Sequence, residues 1–367
     1  MRKARVLAPE TLKNSYYHCV SRVVGREFIL GEVEREKFVE LMRLYEKLYG
    51  LQVMTYCIMS NHFHILVRVP KRPEVDLTDE ELVALVRETL GEKTANDLSY
   101  ALESLKAGCI ENAYEDLRER WFSKMWNVST FMKMVKQRFS YWYNQRTSRK
   151  GTLWEERFHS ALVEGEGQAL RMMAAYIDLN PVRAGMETDP KDYRHSGYAE
   201  AVAGGRLAGQ AYVDITSMHG IKGMKSEADR PRDIRHALEM WRRTLHGVPE
   251  EEHKLEAYLK RLQKTEAQMG GTREDVLEQF FKKKVCRETA LKVLADGGKL
   301  SQTEYLRCKV RYFTDGVAIG SKEYVESVFQ RNRDRFGAKR EEGARKIEGL
   351  ASEVVYNLRG LKKQVFG

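Results

Sequence analysis

The segment Thr55-Tyr-Cys-Ile-Met-Ser-Asn61-His62-Phe63-His64-Ile-Leu-Val-Arg-Val-Pro70 decides the fold. Two apolar runs rich in strand formers, Val53–Met59 and Phe63–Val69, are joined by a tight connection at Met59–Asn61. Side chains two apart on a strand point to the same face, so the imidazoles of His62 and His64 project together. The reading places them at the exposed end of a central strand. Two neutral imidazoles on one rigid strand are a ready pair of ligands for a divalent metal. For an arbitrary His-x-His, two partly exposed histidines that bind nothing are the plainer alternative. Here the flanking strands set the pair apart.

A second informative stretch is Arg171-Met-Met-Ala-Ala-Tyr176-Ile-Asp-Leu-Asn180-Pro181-Val-Arg183-Ala-Gly-Met186. Met172 to Ala175 favour a helix, and Pro181 marks its end just before it. Tyr176 and Asn180 lie four apart and share one face of that helix. A phenol one turn from a carboxamide oxygen can set a nucleophile beside a third metal ligand. Taken alone, the same residues also describe an amphipathic helix with a buried tyrosine and an Asn-Pro stop.

Together the two stretches resemble a known family. His62-Phe63-His64 is similar to the HUH motif (His, hydrophobic, His) of single-tyrosine nucleases. The string from Tyr176 through Asn180-Pro181 to Gly185 is similar to the tyrosine-helix motif of the REP-associated tyrosine transposases, relatives of the insertion-sequence transposases that act on single-stranded DNA. Gly151-Thr-Leu-Trp154-Glu-Glu-Arg157-Phe158-His159-Ser160 resembles the segment that precedes that helix. The three motifs stand in the family's order and cover residues 10–200. The resemblance implies an α+β fold with a ferredoxin-like β-α-β-β-α-β HUH nuclease core. It implies Tyr176 as catalytic nucleophile, and His62, His64 and the Asn180 side-chain oxygen as ligands of one Mg²⁺ or Mn²⁺. It also implies cleavage and rejoining of single-stranded DNA at hairpin (REP-like) sequences through a 5′-phosphotyrosine link. Asn180 stands where the better-known insertion-sequence transposases carry glutamine, and matches the REP-associated branch.

Composition points the same way. With 63 basic against 53 acidic residues the net charge is +10, which favours a polyanionic partner, nucleic acid before an acidic membrane. A merely soluble basic protein carries such a charge too. At 367 residues the chain has room for two domains. No apolar run approaches the roughly 18–20 residues that span a bilayer. The basic N-terminus lacks the apolar region of a signal peptide, so the expected location is the cytoplasm, with no membrane partner. Five cysteines without close pairs argue against a disulfide framework and against a Cys-x-x-Cys zinc site.

In chain order, residues 15–22 read as a first strand, with His18 as a structural histidine and Arg22 at the strand end as a candidate DNA contact. Val33–Leu48 repeats its apolar residues near 3.6 and reads as a helix ended by Gly50. Residues 74–119 hold 13 acidic and 4 basic residues and so carry −9. They read as a solvated helical insert kept away from nucleic acid. Val128–Arg149 reads as a helix with Phe131, Val135 and Phe139 on one face and Lys133, Lys136 and Arg138 on a cationic side. Its interleaved tyrosines suit unpaired nucleic acid. Trp154–Val163 reads as the fourth strand and Gln168–Asn180 as the tyrosine helix. Arg157 and Arg183 join the phosphate-contact candidates.

The expected organisation is an HUH domain over residues 1–200, a Gly-rich, charged linker over 201–232 and a mostly helical domain over 233–367. Helices are expected at Ile234–Leu245, Glu250–Met269, Glu274–Val285, Arg287–Ala295, Ser301–Arg311 and Ser321–Phe336, with Ser301-Gln-Thr-Glu304 forming a capping box. Residues 279–312 carry 9 basic and 3 acidic residues, which suits a DNA-binding module; a helical oligomerisation domain is the alternative. The expected partner is single-stranded or hairpin DNA, bound by a monomer or homodimer. Two other functions stay open: a replication-initiator or relaxase-like nickase on the same core, and a catalytically silent hairpin-binding regulator.

Overall fold

The computed structural model describes residues 6–9, 12–217, 230–246, 292–293, 296, 298–308, 310–350 and 355–359. The two apolar runs form the hairpin β2 (Gln52–Ile58) and β3 (His62–Pro70), closed by the Met59 N–H donating to the His62 carbonyl at 2.8 Å. Strand β1 (Asn14–Arg22) pairs antiparallel with β3, Val20 opposite His64, and β4 (His159–Val163) pairs antiparallel with β1 on its other side. The order β2-β3-β1-β4 is the ferredoxin-like one. Its two crossover helices are α1 (Glu32–Leu48) and α5 (Val128–Thr147), which pack on each other over one face of the sheet. The fold is α+β. Strand β4 is shorter than the reading Trp154–Val163, because Trp154 only bridges Val23 before the chain reaches the ladder.

Alternation sorts the sheet's side chains into two cores. Phe63, Ile65 and Val67 of β3 join Tyr17 and Cys19 of β1 beneath α1 and α5. Leu66 of β3 and Tyr16 of β1 face the other way, into a core shared with α6 (Gln168–Asp178). The acidic segment forms three helices, α2 (Asp79–Leu90), α3 (Glu92–Ala107) and α4 (Glu111–Phe122). They join the α1/α5 core, and their carboxylates are partly paired locally, Asp79 with Lys106 and Arg118, Glu119 with Arg72.

The region expected as a linker differs. Residues Arg206–Ser217 form helix α9, with Ala208, Ala211, Tyr212 and Ile215 buried against β2 and against α10 (Arg230–His246). Glycines and charges had masked an apolar repeat of helical spacing in that stretch. The C-terminal part is also more than a helical domain. Its Ser301–Glu304 capping box forms and Lys322–Arg331 is helical, but Ala318–Gly320 (β5) pairs parallel to β4, and Arg345–Lys346 (β6) and Tyr356–Asn357 (β7) extend the sheet to seven strands. Strands of two or three residues are too short for periodicity to reveal. This addition covers the β4 edge, which would otherwise be open to pairing. The helices expected at 250–269, 274–285 and 287–295 lie outside the described residues, apart from Lys292 and Val293.

Helix α6 is fixed by a buried carboxylate. Asp178 accepts hydrogen bonds from the Thr55 hydroxyl at 2.6 Å, the Tyr212 hydroxyl at 2.8 Å and the Trp241 indole N–H at 2.8 Å. Three elements, β2, α9 and α10, thus grip one side chain. Asp178→Leu leaves the Trp241 N–H and one of the two hydroxyls without an acceptor, since Thr55 and Tyr212, 2.9 Å apart, can still pair with each other; each orphaned donor costs about 1–3 kcal/mol. Urea unfolding should show a loss of at least about 2 kcal/mol, and a smaller one for Asp178→Asn. Burial pushes the Asp178 carboxyl up to about 7 from its ordinary 3.8. A raised acid holds its proton in the folded state, so this group's stabilisation is complete below pH 3.8 and is lost as pH rises through 7. Relative to the non-titrating Asp178→Asn, the unaltered protein should lose up to about 1.4 kcal/mol per pH unit across that window. A pH-independent gap between the two would contradict the assignment.

Candidate active site

His62 and His64 fall on the α6 side of β3, at its end beside the Met59–Asn61 turn, as alternation requires. Their ring centroids are 5.1 Å apart and the rings meet edge to face. His62 Nδ1 donates to Asn61 Oδ1 at 2.7 Å, and Asn61 Nδ2 donates to the Arg26 carbonyl at 3.0 Å, which fixes the amide's orientation. An amide oxygen only accepts, so His62 carries its proton on Nδ1. His64 is 2 % exposed. Burial, together with the neighbouring His18 and His62, holds its imidazole well below the ordinary histidine range, so it is neutral.

Tyr176 sits on α6 facing the histidines, its ring centroid 6.1 Å from that of His64. Helix α6 ends at Asp178, two residues earlier than expected, and Asn180–Arg183 forms a separate turn, α7, with Pro181 in its first turn. Pro181 has no N–H to continue the ladder, which sets the break. Asn180 nonetheless lines the same cleft as Tyr176, His62 and His64, a space of about 300 Å³. The sequence-read constellation is therefore brought together by three elements, β3, α6 and α7.

Around it the structure adds what the sequence reading missed. Arg183 lays its guanidinium 3.9 Å from the Tyr176 ring centroid. It donates to the Tyr176 carbonyl at 2.7 Å and to the Leu306 carbonyl at 2.9 Å. The Phe313 ring packs against the phenol, centroids 4.8 Å apart and planes tilted by 34°. His18, read as structural, lies with its Nε2 2.9 Å from His64 Nδ1. Its placement beside His64 follows from the β1–β3 register and was hidden only because strand pairing is not a local signal. Burial raises the Tyr176 hydroxyl above its ordinary 10, and Arg183 works against that rise.

The phosphate-contact candidates divide. Arg22 lines the cleft, and Arg157 is exposed in an adjoining depression that Arg22 also lines. Lys133 and Arg138 are exposed on α5. Lys136 is buried instead, donating to the Glu156 carbonyl at 2.8 Å and lying over the Trp154 ring, because it falls on the Val135–Phe139 side of the helix. Arg183 reaches the cleft but holds two backbone carbonyls.

The donor set fits a divalent ion. His62 and His64 share one strand face, Asn180 lines the same cleft, and the Asn180 Nδ2 is buried without a hydrogen-bond partner among the described residues. Among the described residues no cluster of three or more His, Cys, Asp or Glu side chains has the geometry to hold a metal. No helix among them is long and apolar enough to cross a membrane.

Residues 11–79, which span β1 to β3 and both histidines, match one family model. It is Transposase IS200 like. The match agrees with the resemblance drawn from the HUH motif and ends before the tyrosine motif. A solved structure described as a REP-associated tyrosine transposase bound to a REP hairpin is similar at 13 % identity with a TM-score of 0.35, covering 56 % of this chain and 87 % of that one. No curated protein matches the chain.

The electrostatics of the phenol are open to direct measurement. In protein carrying ¹³Cζ-labelled tyrosine, Tyr176 should titrate above 10, and Arg183→Met should move it higher still, because the cation that favours the phenolate is gone. A downward shift would contradict the role given to Arg183.

Proposed function

We propose that this chain cleaves and rejoins single-stranded DNA beside hairpins, with Tyr176 as nucleophile. One observation carries the proposal: a single cleft gathers Tyr176, His62, His64 and Asn180, drawn from β3, α6 and α7. His62, His64 and Asn180 would hold one Mg²⁺ or Mn²⁺; nitrogen ligands with an amide oxygen suit such an ion better than a structural zinc site. When bound, the ion supplies positive charge at the scissile phosphate.

The chain's own residues account for the remaining steps. The Tyr176 oxygen attacks phosphorus, an Oη–P bond forms and the bond from phosphorus to the 3′ oxygen breaks. The products are a 5′-phosphotyrosine and a free 3′-hydroxyl, which takes up a proton as the phenol loses one. Arg22, Arg26 and Arg183 line the cleft, and no carboxylate does among the described residues, so the phenol's proton passes to water. The guanidinium of Arg183 lies against the phenol and favours its anion. Reversal by a 3′-hydroxyl rejoins strands without a nucleotide cofactor, because the covalent link conserves the bond. Arg22 and Arg157 lie along adjoining depressions and offer a path for the phosphate backbone leading into the site.

The test uses the full chain and hairpin oligonucleotides with unpaired flanks, with and without Mn²⁺, resolved on denaturing gels. A protein–DNA adduct should form and should disappear in Tyr176→Phe. His64→Ala should slow its formation by at least about 100-fold, the scale of removing a group that stabilises transition-state charge. Hairpin binding with no adduct under any metal condition would instead favour the silent regulator.

A further inference from the structure

We infer that His18 is a positioning residue that locks His64 in one tautomer, proton on Nδ1 and lone pair on Nε2. The inference rests on the reading above, in which His64 is an ion ligand, and adds the group that makes it one. The chain of reasoning starts at a backbone carbonyl. His18 Nδ1 lies 2.9 Å from the Phe313 oxygen, which can only accept, so His18 Nδ1 carries a proton. His18 is fully buried and His64 nearly so, and the hydrogen bonds of the two rings include no carboxylate. An imidazolium there would be a buried charge without a counter-ion, so both rings are neutral.

A neutral His18 with its proton on Nδ1 has only a lone pair on Nε2. That nitrogen is 2.9 Å from His64 Nδ1, and a hydrogen bond there requires the His64 Nδ1–H to donate. The Nε2 of His64 is then the nitrogen left with a lone pair. Turning the His18 ring over would present carbon to both the Phe313 carbonyl and His64 Nδ1 and lose both hydrogen bonds, which holds the ring as it is. His62 reaches the same tautomer by a separate route, through Asn61 and the Arg26 carbonyl. Two independent anchors thus place a proton on Nδ1 of each of the two neighbouring rings. One anchor, Phe313, lies 295 residues from His18 in sequence, just before β5.

The experiment combines tautomer and ion binding in the full chain. In ¹⁵N-histidine-labelled, metal-free protein, long-range ¹H–¹⁵N spectra should show His64 protonated on Nδ1; a proton on Nε2 overturns the inference whether or not any variant folds. Mn²⁺ affinity, read by electron paramagnetic resonance, should fall roughly 10–100-fold in His18→Leu, the range seen on losing such an outer partner. His18→Gln, whose amide oxygen can accept from His64 Nδ1, should recover most of it. If His64→Ala loses Mn²⁺ while His18→Leu binds it like the unaltered protein, the positioning role is wrong and the ion site stands. If His62→Ala and His64→Ala both bind Mn²⁺ unchanged, the ion site itself fails.

Discussion

The pleat of β3 is the constraint on which the site depends. Because successive side chains alternate, the strand that buries Phe63, Ile65 and Val67 under α1 and α5 must turn His62, His64 and Leu66 to the opposite face. A register slip of one residue would send the histidines into the apolar core, where unpaired imidazoles are costly. The buried aromatic cluster of Phe38, Phe63, Phe139 and Trp154 opposes that slip. Packing on one face therefore sets chemistry on the other. The second strand in the arrangement, β1, is tied to β3 over nine residue pairs, and this brings His18 beside His64.

Helix α6 supplies the other half, and its position is as tightly held. Asp178 binds it to β2, α9 and α10, while Arg183 binds its last turn to the Leu306 carbonyl in the C-terminal part. Tyr176 stands two residues before Asp178. Its phenol packs against Phe313 and the Arg183 guanidinium, with the imidazoles of His18 and His64 near perpendicular to it. An aromatic residue held on so many sides keeps one rotamer, and a nucleophile needs a fixed line of approach. The C-terminal part thus belongs to the core's architecture, since Leu306 and Phe313 both touch the site.

The residues that the sequence makes legible are those whose signal is local. His62 and His64 are read from a strand period, and Tyr176 and Asn180 from a helical spacing before proline. Each is found in the cleft. The Ser301–Glu304 cap is legible for the same reason. What local pattern cannot show is pairing between distant segments. His18 reads as structural until β1 is laid against β3, and Phe313 has no reading until its carbonyl is seen at His18. Lys136 reads as a surface cation because composition does not say which way a long side chain on a packed helix will lie. Helix α9 and strand β5 fail for the opposite reason: glycine and charge mask the one, and brevity the other.

Charge is the last element of the arrangement, and it is segregated rather than averaged. The segment 74–119 carries −9 in a chain of +10, which leaves +19 for the remaining residues. That segment packs with α1 and α5, on the face of the sheet turned away from the cleft, with Asp79 matched to its own Lys106 and Arg118 and Glu92 to its own Arg87. Arg22, Arg26 and Arg183 line the cleft beside two imidazoles and a carboxamide. Over distances beyond about 8–10 Å surface charges are largely screened at physiological salt, so the acidic helices neither repel a phosphate at the cleft nor neutralise its arginines. Neutral donors would also leave the whole charge of a bound divalent ion directed at the phosphate, whereas carboxylate ligands would cancel part of it. The same absence of carboxylates weakens the grip on an ion alone, so ion and phosphate should reinforce each other's binding.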